Sequence, residues 1–212
     1  QAEDGIRDFC LSRGLGDVYK RQIYILPFGE IVVGSTWFDL LKKEDGPLEW
    51  LQFSQYFISS IFGFFILFKI KKKKSLNSII WLGLTIFCFF IAAEEISWGE
   101  RITGFNLDSI SEISIQGETN FHNLPFFHNY LLDPALQIIC IFLGWIGWRK
   151  WPYLTSLPSK KLSLFFLLVA LFFAYYDLSW ASTVSHIRND QEIFEFLLST
   201  GIFLHFWDNL KI

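Results

Sequence analysis

From residue 23 onward the chain alternates between apolar runs and short charged connectors. The runs predict six helices, at approximately Ile23–Leu41, Trp50–Ile70, Ser78–Gly99, Pro134–Trp148, Leu162–Ser182 and Ile193–Trp207. A helix needs roughly 20 residues to cross a hydrocarbon core; the second, third and fifth runs meet that length, and the first, fourth and sixth are shorter. The third is the sharpest. Uncharged residues run unbroken from Ile79 to Ala93 and then stop at Glu94-Glu95-Ile96-Ser97-Trp98-Gly99-Glu100-Arg101. The pattern predicts an all-α fold, a polytopic transmembrane bundle of about six helices. The long connector Ile102–Asp133 is expected to form an outward-facing loop cap between the third and fourth.

Composition agrees: 52% of the 212 residues are hydrophobic and 18% are charged, a balance that fits a membrane protein better than a soluble domain. The basic residues set an orientation. Lys69 and Lys71–Lys74 follow the second helix, and Arg149, Lys150, Lys160 and Lys161 follow the fourth. The odd connectors hold Lys42, Lys43, Arg101 and Arg188. An excess of Lys and Arg marks the cytoplasmic side, so both termini are expected inside and the odd connectors outside. Glu44, Asp45, Glu49, Glu94, Glu95, Glu100, His122, His128, Asp177, His186, Glu192 and Glu195 then gather at the outer face. Glu30, His205 and Asp208 break the pattern.

Residues 1–22 change the domain picture. The chain contains no Met. Gln1–Asp8 and Ser12–Gln22 back-translate in one frame into sequences resembling a flow-cell adapter and a transposon adapter. This segment is expected to be a non-native leader, leaving 23–212 as a single transmembrane helical domain truncated at its N-terminus. Of the three cysteines Cys10 falls in the leader, and Cys88 and Cys140 sit inside apolar runs. No disulfide framework or paired-Cys metal motif is expected.

Candidate chemistry centres on the outer acids. At a rise of 1.5 Å per residue, Glu94 lies roughly 22 Å beyond Ile79, at or just below the boundary of a core about 30 Å thick. A continuing helix would align Glu94, Ser97, Trp98 and Arg101 on one face, with Glu95 turned about a quarter-turn away. Carboxylates in such places are functional candidates, as is Asp177 near the end of the fifth helix. The alternative is a charged helix end, with Arg101 neutralising a carboxylate and Trp98 anchoring at the interface. For Glu192 and Glu195 the alternative is capping of the sixth helix in its first turn. His122, His128 and His186 are candidate metal ligands; a hydrogen-bonding loop histidine is the competing role. Glu44-Asp45-Gly46-Pro47-Leu48-Glu49 combines a tight turn with a helix start.

Three segments, KEDGPLEW at 43–50, EEISWGERITGF at 94–105 and SIQGETNFHNL at 114–124, resemble the signature of a bacterial multi-pass membrane protein family of unassigned activity. That signature runs EEISWGQRIxG followed by N-x-Q-x-E-x-N-L-H-N. The chain departs from it at Glu100, Ser114 and Phe121. The resemblance implies a bacterial inner (plasma) membrane location. In ingredients alone, Ser97, Asp177, His122, His128 and His186 resemble the set used by membrane-embedded metal hydrolases of the ceramidase-like superfamily, without their paired-histidine motif on a late helix.

These features lead to three functional expectations. The first is a membrane-embedded hydrolase or lipid-modifying enzyme, with Glu94, Glu95 and Asp177 as catalytic carboxylates and a zinc-type divalent metal on His122, His128 and His186. The second is a non-enzymatic scaffold; the third is a proton-coupled transporter, which requires polarity to continue inward from the outer face. The lipid bilayer is the expected partner, with a lipid or small molecule as substrate and no nucleic acid.

Overall fold

The computed structural model describes residues 46–70, 75–104, 108–114, 117, 119–121, 124–126, 130–178 and 185–211, with the backbone alone for 176–178 and 185–190. The leader, the expected first helix and the lysine run 71–74 lie outside the described residues. Those described are helices and the turns between them, with no strand among them. They belong to one compact unit, Lys42–Ile212.

Helix α1 spans Pro47–Lys69. Gly46 is its N-cap and Pro47 opens the first turn, where a missing N–H costs nothing because that donor has no intrahelical acceptor. Helix α2 spans Leu76–Glu95 and is capped by Ser75, whose hydroxyl accepts from the Ser78 N–H at 3.3 Å. These two helices, of 23 and 20 residues, are long and apolar enough to cross a membrane. The expected fourth helix appears as α3, Leu132–Ile141, which passes through a π-type turn, Phe142–Ile146, into α4, Gly147–Lys150. Helix α5 spans Ser163–Leu178 and α6 spans Ser185–Leu210. The expected all-helical architecture is thus present among the described residues, and two of their helices are long and apolar enough to span a membrane.

Two boundaries differ from expectation. Helix α2 stops at Glu95 rather than Gly99, because Ser97 (φ 47°), Trp98 (φ 54°) and Gly99 (φ 93°) are all left-handed. Helix α6 begins at Ser185 rather than Ile193; no Gly or Pro interrupts 185–200, and its polar opening turns propagate as helix despite lacking an apolar stripe.

Helix α1 packs against α2 and α6, and α5 packs against α3 and α6. Neighbours run antiparallel except α1 and α6, which run the same way: Gln52 near the start of α1 bonds Glu192, and Lys69 at its end donates to the Leu210 carbonyl at 2.8 Å. Glu49, Glu94, Glu95, Glu192 and Glu195 thus meet at one end of the bundle, and Lys69, Arg149, Lys150, Lys160, Lys161 and Lys211 fall at the other together with Asp208.

The polarity of α1 is inverted relative to a water-soluble helix. Its inward face carries Glu49, Gln52, Tyr56, Ser59, Ser60, Gly63 and Ile66. Its outward face carries Phe57, Ile61, Phe64, Phe65 and Phe68; Gln52 is 0% exposed while Phe68 is 77% exposed. Small and hydrogen-bonding residues inside, with large apolar residues outside, is the arrangement favoured where the surroundings are as apolar as the side chains. Gly63 permits the closest approach: a Cβ there would lie 2.1 Å from Thr85 Oγ1 and 2.9 Å from the Phe206 ring.

At the cationic end the connector 151–159 folds back onto the helices. Asn77 Oδ1 accepts the Ser156 N–H at 2.9 Å, and its Nδ2 donates to Thr155 Oγ1 at 3.0 Å. Trp81, 1% exposed, stacks on His205 with ring centroids 5.0 Å apart and planes 8° from parallel. His205 Nε2 lies 3.2 Å from the Ser156 carbonyl, and Asn209 Nδ2 lies 3.3 Å from Nδ1. A carbonyl can only accept, so the partners place the proton on Nε2 and leave Nδ1 as the acceptor.

Candidate functional site

The string at 94–101 divides into a structural part and a second part facing the bundle interior. Glu94 is 3% exposed at the end of α2. Its Oε1 accepts the Trp98 indole N–H, and its Oε2 accepts the Phe121 backbone N–H at 2.8 Å. Glu100 Oε2 accepts the Thr119 N–H at 2.8 Å. Two carboxylates thereby fasten 119–121 over the end of α2, and the Trp98 and Phe121 rings close edge-on at 5.9 Å. Residues 119–121 of the expected loop cap are held by these contacts.

Arg101 does neutralise a carboxylate, but the partner is Glu49 at the start of α1, 52 residues earlier. Sequence alone had aligned Arg101 with Glu94. The left-handed residues 97–99 break the helix and redirect everything after them, so that shared face does not form.

Glu95 has a different fate from its neighbour. Helical geometry turns it about 100° away, half-buried, into electrostatic reach of Glu195, Glu192, Glu49 and Arg101. Glu192 and Glu195 sit in the second and third turns of α6, not its first, which removes the dipole-capping role expected for them. They face α1 instead. Gln52 Nε2 donates to the Glu192 carbonyl at 3.2 Å and to its Oε2 at 3.3 Å. Gln191 donates to Glu195 Oε1 at 2.8 Å. Gln52 Oε1 is buried and has no donor among the described residues.

Polarity continues down the α1–α6 seam. Ser199 Oγ donates to Gln55 Oε1 at 2.5 Å, and Gln55 Nε2 donates to Thr200 Oγ1 at 3.0 Å. Each hydroxyl has one proton; Thr200 gives its own to the Phe196 carbonyl at 2.8 Å. The Tyr56 hydroxyl lies in electrostatic reach of Glu95 and Glu195. Ser59, Ser60 and Thr85 are buried next along the seam, and beyond them comes the His205–Ser156–Asn77 network.

The remaining expected site residues are placed less completely. Asp177 lies in the last turn of α5 and His186 in the first turn of α6, and the side chains of both are outside the description. His122 and His128 lie outside the described residues altogether. Among the described residues no group of three or more His, Cys, Asp or Glu side chains could hold a metal ion. Cys88 and Cys140 are buried free thiols.

Gln52, Gln55, Tyr56 and Thr200 were missed by sequence reasoning, which weighed charged groups singly. The available signal was spacing: Glu49, Gln52, Tyr56, Ser59 and Gly63 recur every three or four residues and form a polar stripe on an apolar helix. Comparisons with protein-family models, curated proteins and solved structures give no match, so function is argued from the site itself.

Proposed function

We propose that the chain is a multi-pass bacterial inner-membrane protein, its termini cytoplasmic, that binds a proton or small cation among Glu95, Glu192 and Glu195 and conducts it along the α1–α6 seam as part of coupled transport. One observation carries the reading: the gathering of carboxylates where α1, α2 and α6 meet. Glu95 lies in electrostatic reach of Glu192, Glu195 and Glu49 as well as Arg101, and Gln52 Oε1 is buried beside them with no donor among the described residues. Carboxylates gathered at the end of an apolar bundle favour an occupant that donates protons or carries positive charge. Buried hydroxyls continue past Gln55 at Ser59, Ser60 and Thr85, each donating to a carbonyl of its own helix and leaving its oxygen as an acceptor; they support transport in particular, since a path needs polarity beyond its mouth. The inverted polarity of α1 supports the membrane setting, and the gathering of Lys69, Arg149, Lys150, Lys160, Lys161 and Lys211 at one end supports the orientation.

Hydrolysis is the weaker reading, because both oxygens of Glu94 are occupied by donors. A zinc-dependent enzyme would draw on Glu95, Asp177, His122, His128 and His186, and purified protein would then carry about one zinc per chain.

The test is an imposed pH gradient across proteoliposomes. Wild-type protein is expected to dissipate it about tenfold faster than Glu95→Gln, with Glu94→Gln close to wild type once equal amounts of folded protein are compared. Dissipation by wild type no faster than by empty liposomes, under monovalent-cation gradients as well, would remove the transport reading.

A further inference from the structure

The cationic end carries a second feature that the transport reading does not use. Arg149, Lys150, Lys160 and Lys161 are all exposed there. No acidic residue occurs between Asp133 and Asp177, and none of the four cations has a carboxylate partner among the described residues. Tryptophans hold two of them in place. The Arg149 guanidinium lies 3.8 Å from the Trp145 ring centroid and 4.9 Å from that of Trp148, and Lys160 Nζ lies 5.7 Å from the Trp148 ring. The Trp148 indole N–H donates to the Gly144 carbonyl at 3.0 Å, which fixes the ring under both cations.

Ring contacts satisfy the face of a guanidinium and leave its in-plane N–H donors pointing outward. Planar donors of this kind match phosphate oxygens in pairs. Along the flank of α3 and α5, Ile138, Ile141, Leu164 and Leu168 are exposed apolar residues. Acyl chains could lie there while the headgroup meets the cations. We infer that Arg149 and Lys160, preset by Trp145 and Trp148, form with the adjacent exposed Lys161 a seat for the phosphate of one anionic phospholipid at this end of the bundle. Charge complementarity selects the occupant: an unneutralised basic cluster beside an apolar flank fits an anionic lipid and disfavours a zwitterionic one. The inference needs the membrane setting but not the cation path.

The experiment compares lipid retention by native mass spectrometry after exchange into nanodiscs of phosphatidylcholine with or without phosphatidylglycerol. Wild type should retain one phosphatidylglycerol. Arg149→Gln/Lys160→Gln/Lys161→Gln should retain about tenfold less, while a control neutralising Lys71–Lys74 should retain the wild-type amount. Trp148→Leu, which keeps every charge, should also weaken retention. Equal losses in the Lys71–Lys74 control would show diffuse attraction and overturn the seat, as would unchanged retention in the triple variant. Inorganic phosphate should not displace the lipid; displacement at millimolar phosphate would reassign the cluster to a soluble anion. Failure to enter either nanodisc would overturn the membrane setting, and with it both proposals; wild-type retention with no gradient dissipation would overturn the transport reading alone.

Discussion

Glu94 and Glu95 are chemically identical neighbours with different surroundings, and the difference is one helical step. Both oxygens of Glu94 accept hydrogen bonds, from the Trp98 indole and from the Phe121 backbone. Replacing Glu94 with Ala removes the shared acceptor of two donors whose own residues are partly open to solvent, and is expected to cost about 1–2 kcal/mol of stability, read as a lower melting temperature in detergent. Glu100→Gln should be nearly silent in the same assay, because an amide oxygen can accept the Thr119 N–H that the carboxylate now accepts.

At the scale of elements, the seam between α1 and α2 depends on the absence of a side chain at Gly63. A methyl group there would meet Thr85 Oγ1 at 2.1 Å, and Thr85 is itself held by donating to the Trp81 carbonyl at 2.7 Å. Gly63→Ala is expected to destabilise the protein by about 1–3 kcal/mol through overpacking. Thr85→Ala should recover part of that loss, and a double-mutant cycle measures how much. The break after α2 is another element-scale decision. Residues 97–99 adopt left-handed conformations that carry the chain out of the helix, and the cost at Ser97 and Trp98 is offset where Glu94 holds the turn from below.

Among the described residues most acids lie at one end and most cations at the other, with Arg101 and Asp208 as exceptions, and the cationic end is closed by a folded connector. Asn77 binds both Thr155 and Ser156. Asn77→Ala should therefore release this segment, seen as at least tenfold faster amide exchange at Ser156 while α1 remains protected. Sidedness has its own test. With Cys10 replaced by Ser, a cysteine at Thr103 should react with an impermeant thiol reagent in intact cells, and one at Lys161 should react only after the membrane is opened. The reverse pattern would invert the proposed orientation. Cys88 and Cys140 are buried and should contribute little background.

The sequence by itself determined the helical class, the positions of α1 and α2, the Gly46-Pro47 start, and the segregation of charge between connectors. These depend on short-range causes: length of apolar run, local turn chemistry and net charge near a helix end. Tertiary structure decided what each polar group meets. Periodicity says which way Glu95 points about its own axis, but not that Glu192 and Glu195 lie opposite. It pairs Arg101 with a nearby acid, whereas packing brings Glu49 from the start of another helix. The polar stripe of α1 was legible as spacing, and its role emerged once α6 supplied Ser199 and Thr200 to meet Gln55. A hydrogen bond needs two groups in register across a gap, and register between helices is set by packing, which no single helix encodes.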